Sequence, residues 1–122
     1  IIPGLNDTDI LPVMKAAAEH GARRASHTIV RLNGAISEIF ETWVRRFLPD
    51  RADRILHLIA QAHGGKLNNS QWGVRLQGEG PVAQMIHQSF EVGLKKYFSN
   101  VEGMPPHNLA LFRRGGQMSL WE

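Results

Sequence analysis

Apolar positions along this chain follow an extended pattern first and a helical one afterwards. Residues 25–32, Ala-Ser-His-Thr-Ile-Val-Arg-Leu, are centred on Ile29-Val30 and predict a strand. Residues 9–20 predict a helix with Ile10, Leu11, Val13, Met14, Ala17 and Ala18 on a broad apolar face. Asn6, Asp7, Thr8 and Asp9 can each cap its start, and Gly21 suits its end. Pro12 fits only in the first turn, where its missing N–H is no loss. Ahead of the helix, Ile1-Ile2-Pro3-Gly4-Leu5-Asn6-Asp7 reads as the end of a buried strand and a turn. Strand, helix, strand is a βαβ unit, which belongs to a parallel sheet covered on both faces. Downstream the pattern turns helical and offers no further strands. The chain therefore reads as the carboxyl-terminal end of a larger α/β protein.

After the Asn33-Gly34 turn, Ile36, Ile39, Phe40, Trp43, Val44, Phe47 and Leu48 form one wide apolar stripe at helical spacing. Pro49 ends that helix and Asp50 caps the next, whose buried face is Ile55, Leu56, Ile59 and Ala62. Gly64-Gly65 stops it. The stretch 64–80 holds five glycines, and Leu67, Trp72, Val74 and Leu76 suggest short extended pieces there. Gly80-Pro81 opens a last helix with Val82, Met85, Ile86, Phe90, Leu94, Tyr97 and Phe98 as its stripe. An apolar tail follows at 109–121, suited to lying across a groove of a parent protein.

Composition narrows the chemistry. The 122 residues include no cysteine, so these residues supply no disulfide, thiolate ligand or cysteine nucleophile. That points to a cytoplasmic origin. No apolar run reaches membrane-spanning length, so no membrane partner is expected. The chain opens on Ile with no basic segment ahead of an apolar one, which suggests a fragment or a processed chain. The formal charge of +3 is spread over the doublets Arg23-Arg24, Arg45-Arg46, Lys95-Lys96 and Arg113-Arg114. Such doublets usually sit on solvated helix faces, with a nucleic-acid footprint as the lesser alternative. The six histidines show no HxxxH spacing, and no zinc site or other metal site is expected.

Several stretches in order, IIPGLNDTDI, VRLNG, FLPDRADRIL, GGKLNNSQWGVRLQGEGP and LFRRGGQMSL, resemble the carboxyl-terminal part of radical S-adenosylmethionine proteins of the spore-photoproduct-lyase-like, DNA-repair-photolyase group. The resemblance covers nearly the whole chain. It implies a partial (β/α)6 barrel whose last strands and helix are residues 1–33, with 34–122 as a mainly helical extension. It implies a [4Fe-4S] cluster and S-adenosylmethionine in the parent enzyme, with homolytic cleavage of the cofactor and hydrogen abstraction from substrate. The cluster's CxxxCxxC loop is not in this chain. The family's Ile-x-Gly-x-x-Glu pattern beside the cofactor's adenine matches Ile2, Gly4 and Asp7, with Asp in place of Glu.

The candidate cofactor-side residues are thus Ile2, Pro3, Gly4, Asn6 and Asp7, against the alternative of an ordinary capped turn. Arg31, near a strand end, is a candidate for a substrate phosphate or a cofactor carboxylate, or for a structural ion pair. Trp72 and Arg75 are candidates for stacking on and binding a nucleotide, or for a structural loop. The expected partners are the missing amino-terminal barrel portion and a second copy through exposed strand edges, with nucleic acid as a candidate. The other reading is a non-catalytic helical module that binds nucleic acid or protein.

Overall fold

The computed structural model describes residues 1–68, 76–100 and 102–110. Their order is a 3-10 turn at Asp7–Asp9, then α1 (Ile10–Glu19), α2 (Ala35–Phe47), α3 (Pro49–Gln61) and α4 (Gly80–Tyr97). α1 packs on α4, and α2 packs on α3.

Local chemistry explains where the helices begin and end. Pro12 is the third residue of α1, inside the first turn. At the other end Gly21 adopts φ +87°. The Ala22 and Gly21 amides reach back to the carbonyls of Ala17 (2.9 Å) and Ala18 (3.0 Å), the paired bonds of a Schellman motif. Leu48 leaves helical geometry at φ −136°. Pro49 is the first residue of α3, its fixed φ already suited to a helix start. Asp50 therefore lies inside the first turn rather than at the cap, where its charge still favours the helix dipole.

The expected α/β architecture, a βαβ end of a partial barrel, is not what the chain forms. No described residue is in a strand, and the described elements are all helical. Segment 25–32 is extended, but its bonds are isolated. The Ile1 nitrogen donates to the Thr28 carbonyl (2.6 Å) and the Val30 amide to the Ile1 carbonyl (2.8 Å). On its other side the Ile29 amide reaches the Leu76 carbonyl (2.9 Å) and the Leu32 amide the Leu67 carbonyl (3.2 Å). Leu67 and Leu76 are too far apart in the chain to be consecutive rungs of one ladder. A strand needs a continuous neighbour, and these points do not supply one.

The extended segment still divides the interior. Ile29 enters a core with Ile10, Met14, Ala62, Ala83, Ile86 and Phe90, against which Ile1 packs. Leu32 enters a second core with Val44, Ala52, Ile55, Leu56 and Ile59, against which Ile2, Leu5 and Val30 pack. Consecutive residues thus face opposite cores, as the two-residue period of an extended chain requires. Residues on either side of position 33 share both cores.

α3 buries Ile55, Leu56 and Ile59, with Ala62 just beyond its end. α2 departs from its sequence pattern. Of its stripe only Val44 is fully buried, while Ile36, Ile39, Trp43 and Phe47 are exposed. On α4, Ile86 and Phe90 are buried but Met85 is exposed. No helix among the described residues is long and apolar enough to cross a membrane.

Candidate functional site

The loop 2–7 is built tightly. Pro3 is fully buried. Gly4 adopts φ +75°, a conformation that favours glycine, and a Cβ there would lie 2.7 Å from the Leu58 Cδ1 atom, so the Leu58 side chain would have to shift to admit one. Arg51, in the first turn of α3, donates from Nη2 to the Gly4 carbonyl (2.6 Å). The Asn6 Oδ1 atom accepts the Ile2 amide (2.7 Å), and the Ile2 carbonyl accepts the amides of Leu5 (3.1 Å) and Asn6 (3.2 Å). These bonds satisfy the turn from within and aim it at the start of the 3-10 turn.

Beside this loop lies a pocket of about 440 Å³. Ile10, Val13, Met14 and Phe90 line it with apolar surface, and Asn6, Asp9, Ser26, His27 and Thr28 contribute polar groups. Among the five candidates of the loop, only Asn6 reaches this pocket. Ile2 packs into the α2–α3 core, Pro3 is buried, and Gly4 is held against α3. Asp7 opens the 3-10 turn.

A pair of histidines was not visible in the sequence. His27 Nε2 and His87 Nδ1 lie 2.7 Å apart, and the His27 ring also sits 4.3 Å from the Phe90 centroid. Burial, and then the neighbouring His87 charge, hold the His27 pKa below the ordinary imidazole value, with Glu91 acting the other way. His27 forms part of the wall of the first pocket and of a second of about 380 Å³, lined also by Gln77, His87 and Glu91. The only local signal was His87 and Glu91 four residues apart on α4, one face of a helix. The contact of His27 with His87 is a tertiary event sixty residues apart.

His63 is a different case. It is buried, and its Nε2 lies 2.7 Å from the Val30 carbonyl. A carbonyl only accepts, so Nε2 carries a proton, and Nδ1 has no partner among the described residues. His63 thus ties the end of α3 to the extended segment. Among the described residues no three potential ligands gather to hold a metal.

Arg31 is half-buried, and no described carboxylate pairs with it. Trp72 and Arg75 lie outside the described residues. Several basic residues are engaged within the chain. Arg45 bonds Glu41 (2.9 Å) and Asp53 (2.7 Å), Arg23 bonds the Gly103 carbonyl (3.3 Å), and Lys96 sits 5.3 Å from the Tyr97 centroid. The bonds to Asp53 and Glu41 also raise the Arg45 pKa above its ordinary value. Charges already paired are less free to neutralise phosphates.

Comparison with family models, with curated proteins and with solved structures found no match.

Proposed function

We propose that this chain is the carboxyl-terminal part of a radical S-adenosylmethionine enzyme, and that Asn6 of loop 2–7 with segment 26–28 lines one wall of its cofactor pocket. The supporting observation is their juxtaposition. Ile1, next to the loop, exchanges two backbone bonds with Thr28 and Val30, and Ile1, Asn6 and residues 26–28 together line the pocket of about 440 Å³. The resemblance puts loop 2–7 on the cofactor's side, and of its candidate residues Asn6 lines this pocket, whereas Ile2, Gly4 and Asp7 do not.

The residues fit one implied group and not the other. With no cysteine, the chain offers nothing to an iron–sulfur cluster. For the adenosine portion of S-adenosylmethionine the fit is chemical. Apolar surface from Ile10, Val13 and Phe90 suits a purine face, and the Asn6 amide, Thr28 hydroxyl and Asp9 carboxylate suit ring nitrogens or ribose hydroxyls. In the parent enzyme, cluster and cofactor together supply homolytic cleavage and hydrogen abstraction. The part of this chain is to bind, orient and exclude water. The substrate class is a nucleic-acid lesion by resemblance alone, and the compartment is the cytoplasm.

The experiment uses the parent protein with its upstream portion and a reconstituted cluster. It should bind S-adenosylmethionine and release 5′-deoxyadenosine on reduction. Asn6→Ala should weaken cofactor binding by about tenfold, the effect of one lost hydrogen bond. A parent that neither binds nor cleaves the cofactor overturns the proposal.

The alternative, a non-catalytic binding module, is favoured by the exposed apolar face of α2. Single-stranded nucleic acid bound with a steep salt dependence would support its nucleic-acid form. No binding at low salt would end that form.

A further inference from the structure

We propose that α2 is the surface through which two copies of this chain pair, antiparallel, about a two-fold axis passing near Thr42 and Trp43. This rests on the geometry of α2 and not on the cofactor reading.

The face is apolar and uncovered. Ile39 is 68 % exposed and Phe47 61 %, values that suit a contact surface better than a core helix. The aromatic rings stand in a ready-made row. Phe40 and Trp43 have centroids 5.7 Å apart, and Trp43 and Phe47 6.1 Å. Between this row and the neighbouring one lies a groove of about 450 Å³ lined by Glu38, Ile39, Thr42, Trp43, Arg46 and Phe47.

The occupant follows from the symmetry of that lining. Residues four apart make ridges along a helix. One ridge is Ile39-Trp43-Phe47 and the adjacent ridge is Glu38-Thr42-Arg46. Each is self-complementary about its own centre, Trp43 or Thr42, and these centres differ in height by about 1.5 Å, so one two-fold between them serves both ridges to within that offset. About an axis near Trp43, Ile39 of one copy meets Phe47 of the other. About the same axis, near Thr42, Glu38 of one copy meets Arg46 of the other, twice over. Four residues rise about 6 Å, so both contacts stand about 6 Å on either side of the axis. Glu38 and Arg46 make no ion pair among the described residues, whereas the adjacent Arg45 is held by Glu41 and Asp53. An isologous interface requires this kind of self-matching, and an unrelated partner does not.

One 13-residue helix per copy makes a small contact. The affinity should therefore be on the order of micromolar or weaker.

Sedimentation of the 122-residue chain over a wide concentration range should show reversible dimers. Ile39→Asp should leave a monomer with unchanged helix content, and Trp43→Ala should weaken pairing by roughly tenfold or more. Glu38→Arg and Arg46→Glu should each weaken pairing, and the double swap should restore it. Because the chain has no cysteine, a single one can report the axis. Thr42→Cys should give a disulfide-linked dimer on mild oxidation. Ile36→Cys should not, since its two copies would stand about 20 Å apart. A wild-type chain that stays monomeric, a dimer that Ile39→Asp leaves intact, a double swap that fails to restore pairing, or crosslinking at position 36 instead of 42 each overturns the proposal.

Discussion

His27 and His87 face each other across 2.7 Å, Nε2 to Nδ1, and so join the extended segment to α4 at the partition between two pockets. The bond needs one N–H and one bare nitrogen. It cannot survive with both rings fully protonated.

This gives stability a direction in pH. The folded chain holds His27 below the ordinary value of 6.5, first by burial and then through the His87 charge. A group depressed in this way binds protons more readily when unfolded. Its contribution is complete above pH 6.5 and is lost as pH falls through the folded value. Urea unfolding should therefore show stability declining as pH drops below that point, and His27→Gln should lessen the decline. An equal slope in the variant would count against the pair.

Gly78 should resist replacement. It adopts φ +72°, and a Cβ there would lie 2.9 Å from the Ala62 carbonyl oxygen and 3.2 Å from the Ala83 Cβ atom. Backbone cannot move aside as a side-chain tip can. Gly78→Ala should cost about 2 kcal/mol or more, from left-handed strain plus crowding, read by thermal or urea unfolding.

His63→Leu keeps the volume but leaves the part-buried Val30 carbonyl without its donor. It also removes the orphaned Nδ1. The first effect should win, at about 1 kcal/mol, because the carbonyl loses its donor whereas the fold already accommodates the unpartnered Nδ1. A variant as stable as the wild type would show that water replaces the bond.

Arg51→Ala should loosen loop 2–7 without unfolding the chain. The lost bond to the Gly4 carbonyl is exposed, so about 1 kcal/mol or less is expected globally. Hydrogen exchange at the Leu5 and Asn6 amides, both bonded to the Ile2 carbonyl, should accelerate more than exchange in α3.

Much of the local structure was legible. Pro12, Gly21, Pro49 and Pro81 place helix ends through their own φ preferences and missing donors, and those effects need no distant partner. The buried face of α3 was legible for a related reason, since its spacing leaves one side apolar and the other charged. The stripe of α2 was legible as a stripe and misleading as a core. Periodicity says that a face is apolar, and not how much of it a neighbour covers. In the candidate site, the turn at Pro3-Gly4 could be read from residue type. The donors and acceptors that hold it, Arg51 and Asn6, could not be assigned without the fold.

By itself the sequence determined the helices, their ends, and the two-sided character of segment 25–32, because these follow from forces acting within a few residues. The tertiary structure alone decided that this segment would find isolated partners at Ile1, Leu67 and Leu76 in place of a sheet, and that His27 would meet His87. It also left Ile39, Trp43 and Phe47 in the open. Pairing and coverage are relations between distant parts of the chain, and their energies depend on which surfaces the packed helices bring together.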